Sequence, residues 1–332
     1  MRSAPCARRD RRMFEVLESA KRVSEASGLV RIDRQALVTL ARDWVSKGVK
    51  VPVWDNVHHF AGGGADTVSY LLVLDSLNFC FWPAHKKARW EIQYGSESLS
   101  GYLALAASLK RAMESGVPIT RADYLAGISP EALKNILGGQ GDLQLMESRL
   151  GILRELGRVL QKAYEGEACR LVEAAEGSAV ELVRLLAMQL ESFRDVAEYR
   201  GQEVFFYKRA QIFAADLHGT FQGKEWETFK DMEQLTAFAD YKLPQVLRHL
   251  GVLQYEKDLA RQVDTGTLFE PGGIEEVEIR ASTIWAVEEL HKEMGRRGHD
   301  LSAFEIDGIL WNMGQQDRYR AKPYHRVKTI YY

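Results

Sequence analysis

Residues 238–251 read Phe238-Ala-Asp-Tyr-Lys-Leu-Pro-Gln-Val-Leu-Arg-His-Leu-Gly251. The stretch is punctuated as a helix. Pro244 suits a first helical position, where its missing N–H would have had no partner. Gly251 suits the position just past the last turn, where a left-handed backbone costs glycine little. Asp240, set between an aromatic ring and a lysine, then falls in a short connection between two helices, held in place instead of trailing in solvent.

Outward from this stretch the apolar spacing stays helical. Phe14, Leu17, Ala20 and Val23 share one face, and Asp33 caps a helix through Leu37, Leu40, Ala41 and Trp44. Past Gly62-Gly63-Gly64, Asp66 is the expected cap of a helix carrying Val68, Leu71, Leu72 and Val73. Ser100 to Gly116 has a cap and a terminal glycine, and Ser129-Pro130-Glu131 with Gly138-Gly139 makes a start and stop pair. Further helices are expected near residues 143–163, 178–192, 206–221, 243–250, 275–295 and 302–313. Trp90-Glu-Ile-Gln-Tyr94, followed by Gly95-Ser96, and Tyr199-Arg-Gly-Gln-Glu-Val204 predict two small β-hairpins. The expected fold is all-α with one or two such hairpins, a single helical domain over residues 13–332 behind a flexible lead-in of residues 1–12. The ending, Pro323 to Tyr332, is too aromatic for an ordinary frayed terminus.

Composition narrows the function classes. With 46% hydrophobic and 27% charged residues the chain is an ordinary soluble type, and a net charge of −2 argues against a duplex-binding face. A small anionic ligand needs only a few placed cations. Cys6, Cys80 and Cys169 are far apart, without metal-ligand spacing, which fits a reducing compartment. The richest apolar segment, Val68 to Trp82, is interrupted by Asp75 and Asn78, and the arginine-rich start is followed by no apolar region of a secretory signal. The expected setting is cytoplasmic, with neither membrane nor nucleic acid as partner.

No glycine-rich phosphate loop follows a strand, and no HExxH or carboxylate–histidine spacing suggests a metal, so no cofactor is expected. His58-His59 is an adjacent pair, for which a surface or packing role is the plain reading. Three polar–aromatic clusters remain: Phe238 to Lys242, Phe304 to Asn312, and Phe205 to Gln211 with Asp216 beyond it. Asp307 and Trp311 are four apart and share a helical face, with Asn312 on its flank. Such a set suits a flat heterocycle, through stacking and edge hydrogen bonds; a core tryptophan beside a capping aspartate accounts for it equally. Lys208 and Arg209 suit a phosphate, or a cationic flank paired with Asp216.

Taken in order, Asp75-Ser-Leu-Asn-Phe-Cys-Phe-Trp82, Ser100-Gly-Tyr102, Gly116-Val-Pro-Ile-Thr120, Phe206-Tyr-Lys-Arg-Ala-Gln-Ile212, Leu235 to Arg248, Glu276-Val-Glu-Ile-Arg280, Ser282-Thr-Ile-Trp285 and the terminal His325-Arg…Ile330-Tyr-Tyr332 resemble the queuosine salvage protein family. The resemblance runs from about residue 14 to residue 332. It implies a helical fold similar to helix-hairpin-helix DNA glycosylases, and hydrolysis of the N-glycosidic bond of queuosine 5′-phosphate, a small-molecule substrate, to release queuine. It also implies Asp240 as the active-site carboxylate and Phe238 as its aromatic partner. His58, Asp307, Trp311 and Asn312 fall on base- and sugar-binding positions; a monophosphate would also call for a cationic contact, for which Lys208, Lys242 and Arg326 are the candidates. The family pattern has an aspartate where Asn312 stands. An amide keeps the acceptor there but lacks the charge that would pair with the amine-bearing side chain of the base. Two other readings stay open: a base-excision glycosylase acting on nucleic acid, and a non-catalytic protein that binds modified nucleosides.

Overall fold

Helix punctuation governs most of the chain. The structure is a computed structural model in which residues 14–84 and 86–332 are described; the expected lead-in of residues 1–12 lies outside them. Fourteen α-helices run through the described residues: α1 (Glu15–Ala26), α2 (Arg34–Lys47), α3 (Gly64–Ser76), α4 (Tyr102–Glu114), α5 (Ala122–Gly127), α6 (Pro130–Leu137), α7 (Met146–Ala163), α8 (Ala168–Glu173), α9 (Ala179–Gln189), α10 (Lys208–Phe221), α11 (Lys242–His249), α12 (Lys257–Asp264), α13 (Ile274–Gly295) and α14 (Ala303–Met313). The strands are short: β1 (Val30–Ile32), β2 (Glu91–Tyr94), β3 (Glu97–Ser100), β4 (Val196–Tyr199), β5 (Gln202–Phe205), β6 (Leu253–Tyr255), β7 (Leu268–Phe269) and β8 (Arg326–Val327). They form four two-stranded sheets. The hairpins β2–β3 and β4–β5 are the two expected from alternation. The antiparallel pair β1–β6 and the parallel pair β7–β8 join distant segments that carry no local signal.

Caps explain most helix starts. Asp33 accepts the Ala36 N–H at 3.0 Å, and Ser129 that of Ala132 at 3.1 Å, with Pro130 opening α6. Ser302 and Glu305 form a reciprocal capping box at α14. Three expected starts move. Asp66 is not a cap: α3 begins at Gly64, and the carboxylate lies in its first turn, where the helix dipole still favours it. Ser100 ends β3, and Gly101, at φ 65°, turns the chain into α4. Pro244 is the third residue of α11, still among the N–H positions that lack an intrahelical partner. Gly251 takes the left-handed conformation expected of it, φ 76°, one residue beyond the cap.

Two large apolar clusters share the core, with a small third one of Phe79, Cys80, Trp82 and Ile152. The larger gathers residues of α1 and α3–α10 around Leu71, Leu105, Leu156 and Phe213; the smaller gathers α2, α11–α14 and the tail around Leu247, Val287 and Leu310. The 22-residue α13 lies between them. Val277, Ala281 and Ile284 face the first cluster, and Ile279, Ala286 and Leu290 the second. A helix covered on both sides has no free polar face, so its buried Glu276, Glu278 and Arg280 must be paired internally.

The segment after α3 is held by two buried arginines. Arg209 donates to the carbonyls of Asp75 and Ser76, the open end of α3. Arg149 donates to Leu77 O and Phe79 O, both at 2.5 Å. Their guanidinium carbons lie 5.1 Å and 4.2 Å from the Phe79 ring centre. Burial lowers both, Arg149 to about 9 and Arg209 to about 10. Carbonyl oxygens and aromatic faces take the place of carboxylates for these cations.

Candidate active site

Residues Leu235–Asp240 are buried yet belong to no helix or strand, so each backbone polar group needs a partner from elsewhere. Those partners are side chains of three different helices. Gln211 of α10 accepts the Thr236 N–H at 2.9 Å and donates to Phe206 O at 2.9 Å. Asp307 of α14 accepts the Phe238 N–H at 2.7 Å. Arg280 of α13 donates to Ala239 O at 3.0 Å.

Arg280 is itself fixed. Its two terminal nitrogens meet the Asp195 carboxylate at 2.9 Å and 2.6 Å, and its plane lies over Phe206 and Tyr332 at 3.9 Å and 4.3 Å. Burial works against its charge, but Asp195 and Glu276 more than offset that and hold the guanidinium above its ordinary range. Asp195 also accepts the Lys208 N–H at 3.3 Å, joining the start of α10 to the same network.

Asp240 closes the stretch. Its Oδ1 accepts the N–H groups of Lys242 at 2.6 Å and Leu243 at 3.0 Å, which makes it the side-chain cap of α11. Its Oδ2 forms no hydrogen bond with the described residues, and the residue is 7% exposed. The carboxylate is thus pinned by one oxygen, with the other available.

Charged groups crowd around it. Burial raises the Asp307 carboxyl well above the usual carboxylate range; the Phe238 N–H opposes that and the nearby Asp240 adds to it. Lys208 is buried, with Nζ donating to Asn78 O at 3.4 Å. Burial lowers it, against the pull of Asp240, Asp75 and Asp307. Lys242 meets Asp240 through its main chain; its ammonium donates to Gly314 O at 3.2 Å.

A second polar group adjoins through Trp311, whose ring meets Tyr102 edge-on at 5.8 Å. The Tyr102 hydroxyl lies 2.9 Å from His59 Nε2 and 3.2 Å from Asp216 Oδ2. His59 Nδ1 lies 2.7 Å from the Asp55 carbonyl, which can only accept, so Nδ1 carries a proton and Nε2 of the neutral ring is an acceptor. One phenolic proton cannot serve both neighbours. The hydroxyl is placed to donate to Asp216 Oδ2, and protonation of Asp216 would free that proton for His59. Burial raises Asp216 to about 7, in keeping with this. Beside it Asp75 is fully buried, with neither carboxyl oxygen hydrogen-bonded, and burial followed by the Asp216 charge drives it well above the carboxylate range.

The expected residues thus divide. Phe238, Asp240, Asp307, Lys208 and Lys242 come together around the 235–241 stretch, with Trp311 joined to the Tyr102 group. His58 makes its contacts elsewhere, to Asp55 at 2.6 Å and Glu97 at 3.2 Å. Asn312 is exposed, and its amide donates to Gly308 O of its own helix at 3.1 Å. Spacing does not single out Arg280, Asp195 or Tyr102; Gln211 and Asp216 fall in the third polar–aromatic cluster without an assigned role, and His59 reads as a surface or packing residue. One signal pointed to Asp75: a carboxylate inside the most apolar run of the chain.

Residues 58–332 match the family model described as queuosine salvage protein. The chain belongs to the queuosine salvage protein family. A relative from Sphaerobacter thermophilus, named queuosine 5′-phosphate N-glycosylase/hydrolase, is 45% identical over 317 residues, 96% of this chain and 97% of the relative. Proteins of the same name from Mus musculus and Dictyostelium discoideum are 34% and 35% identical, each over at least 95% of this chain and 98% of its own length. These alignments span both large core clusters and the 235–241 stretch.

Proposed function

We propose that the chain hydrolyses the N-glycosidic bond of queuosine 5′-phosphate, releasing queuine and ribose 5-phosphate, with Asp240 as the catalytic carboxylate. The observation that carries the assignment of Asp240 is its posture: one oxygen fixed by two main-chain N–H groups, the other unengaged, in a buried stretch tied down by three helices. Cleavage of the bond builds positive charge on the ribosyl ring. A preorganised carboxylate beside the ring stabilises that charge where it develops, without reorganising. The free oxygen also suits a water molecule that attacks the sugar carbon and gives up its proton as the C–N bonding pair leaves with the base.

The base has a guanine-like donor edge, for which Asp307 is the assigned acceptor. Phe238 and Trp311 are the assigned stacking partners, each contributing about 1–3 kcal/mol. His58 and Asn312 are assigned to the rim, contacting the sugar and the substituent of the base. The helical frame, with a carboxylate at the head of a short helix, fits a relation to helix-hairpin-helix DNA glycosylases. The near-neutral chain favours a mononucleotide over a polymer, and its thiols suit a cytoplasmic setting. Among the described residues no helix is long and apolar enough to cross a membrane.

Chromatography of queuosine 5′-phosphate incubated with the protein tests the reading. Free queuine is expected from the wild type and none from Asp240→Asn of unchanged circular dichroism. An unchanged nucleotide with folded wild-type protein overturns it, and queuine released only from intact tRNA moves the activity to nucleic acid.

A further inference from the structure

A cavity of about 310 Å³ opens beside the two residues that follow Asp240. One wall is Phe81, Trp82 and Arg89; the other is Tyr241, Lys242 and Gln245 of α11 with Arg320, Tyr324 and Arg326 from the C-terminal segment. Four cations therefore face one space, and no carboxylate lines it among the described residues. Like charges gathered this way repel unless an anion sits between them.

The pairing of these cations is sparse. Lys242 and Arg320 share one acceptor, Gly314 O, each at 3.2 Å. Arg320 also meets Asp317 at 3.3 Å, but that carboxylate is 99% exposed, so the pair is weak in water. Arg326 lies over the Trp82 and Tyr324 rings, 5.9 Å from each centre. Neither Arg89, Arg326 nor Lys242 has a carboxylate within ion-pair distance among the described residues. Burial, and then the charge of Arg320, lowers Lys242 to about 8. At the inner end Gln245 is 4% exposed; its amide nitrogen donates to Lys322 O at 2.7 Å, while its Oε1 is buried without a partner. An unfilled acceptor among unfilled cations, between aromatic walls, matches a phosphoryl group attached to a hydroxyl-bearing sugar.

We infer that this cavity seats the 5′-phosphate of the nucleotide, with Arg89 and Arg320 as its outer clamp, Lys242 at its inner end and Gln245 accepting from a sugar hydroxyl. The inference rests on the reaction proposed above and takes the phosphate away from Lys208, which is buried against Asn78 O and does not line the cavity. Lys242 links the two places: its N–H is bound to the Asp240 carboxylate, and its side chain lines the cavity.

Arg89 and Arg320 are exposed, so Arg89→Gln with Arg320→Gln is expected to fold. Two measurements are made on the full chain. Calorimetry with ribose 5-phosphate is expected to show binding to the wild type, weakened roughly ten- to hundredfold in the double variant and partly restored in Arg89→Lys with Arg320→Lys. The ratio of kcat/KM for queuosine 5′-phosphate over queuosine is expected to fall by a similar factor. An unchanged ratio with unchanged ribose 5-phosphate affinity overturns the inference. So does a variant that loses affinity for a single-stranded RNA oligonucleotide and not for ribose 5-phosphate, because the cations then serve a polymer backbone. If the wild type cleaves neither substrate, the proposed reaction fails by itself; loss of ribose 5-phosphate binding in the double variant still supports the anion seat.

Discussion

Asp307 accepts the backbone N–H of Phe238 at 2.7 Å, so a carboxyl of α14 fixes the main chain two residues before Asp240. The same carboxylate is the proposed acceptor for the base, and its two oxygens permit both duties. Asp307→Ala would leave the Phe238 N–H buried and unpaired, at a cost of about 1–3 kcal/mol in chemical denaturation. Asp307→Asn keeps an acceptor for that N–H and is expected to cost less, while still lowering turnover. Equal loss of stability in both variants would show that the hydrogen bond is not what Asp307 supplies.

Asp240 carries a structural task and a proposed chemical one, and two substitutions separate them. Asp240→Asn retains an oxygen for the Lys242 and Leu243 N–H groups, so its thermal midpoint should stay near that of the wild type. Asp240→Ala removes the cap and should cost about 1 kcal/mol. Turnover should vanish in both. An Asn variant that still hydrolyses the nucleotide would remove Asp240 from the chemistry.

Arg280 acts at one remove from the site. Arg280→Met leaves Asp195 buried without its partner, and about 3–5 kcal/mol of stability should be lost in urea unfolding. Combining it with Asp195→Leu should recover part of that, because one of the two carboxylates facing Arg280 is gone while Glu276 remains. The Ala239 carbonyl would still lack its donor, so the double variant should be stable but slow, with kcat affected more than KM. Recovery of full activity would show that the Asp240 stretch does not depend on this support.

The Asp216 group predicts a pH dependence of stability. Its folded value of about 7 lies above the ordinary 3.8, so the folded protein favours the protonated form. That stabilisation is fully present below pH 4 and is lost as the pH rises through 7. The groups around it are Tyr102, Lys208, Asp75, Tyr70 and, through Tyr102, His59. Asp216→Asn cannot ionise; the difference between its thermal midpoint and that of the wild type should move in favour of the variant from pH 5 to pH 8. A constant difference would mean that Asp216 is already charged at pH 5.

Local signals carried the helices and little of their assembly. Ser129-Pro130 and Asp33 announce helix starts because a cap acts within three residues of itself. The pair β1–β6 leaves no trace in either segment, since each is three residues long and its partner is more than two hundred residues away. The same division holds in the site. Asp240 drew attention through its neighbours in sequence, whereas Gln211, Arg280 and Tyr102 act across long separations and are ordinary within their own helices. The short helices α5, α8 and α12, of six to eight residues, are too brief for a periodic pattern to register.

Tyr332 has a consequence for the order in which the fold closes. The Tyr332 carbonyl oxygen accepts the Cys80 N–H at 2.9 Å, and its ring covers the guanidinium of Arg280. The residue thus joins a segment near position 80 to one near position 280, and both to the far end of the fold. Early segments wait on late ones, as expected where contacts span most of the length. The Asp240 stretch is therefore held from both sides only once Tyr332 has docked against Cys80 and Arg280.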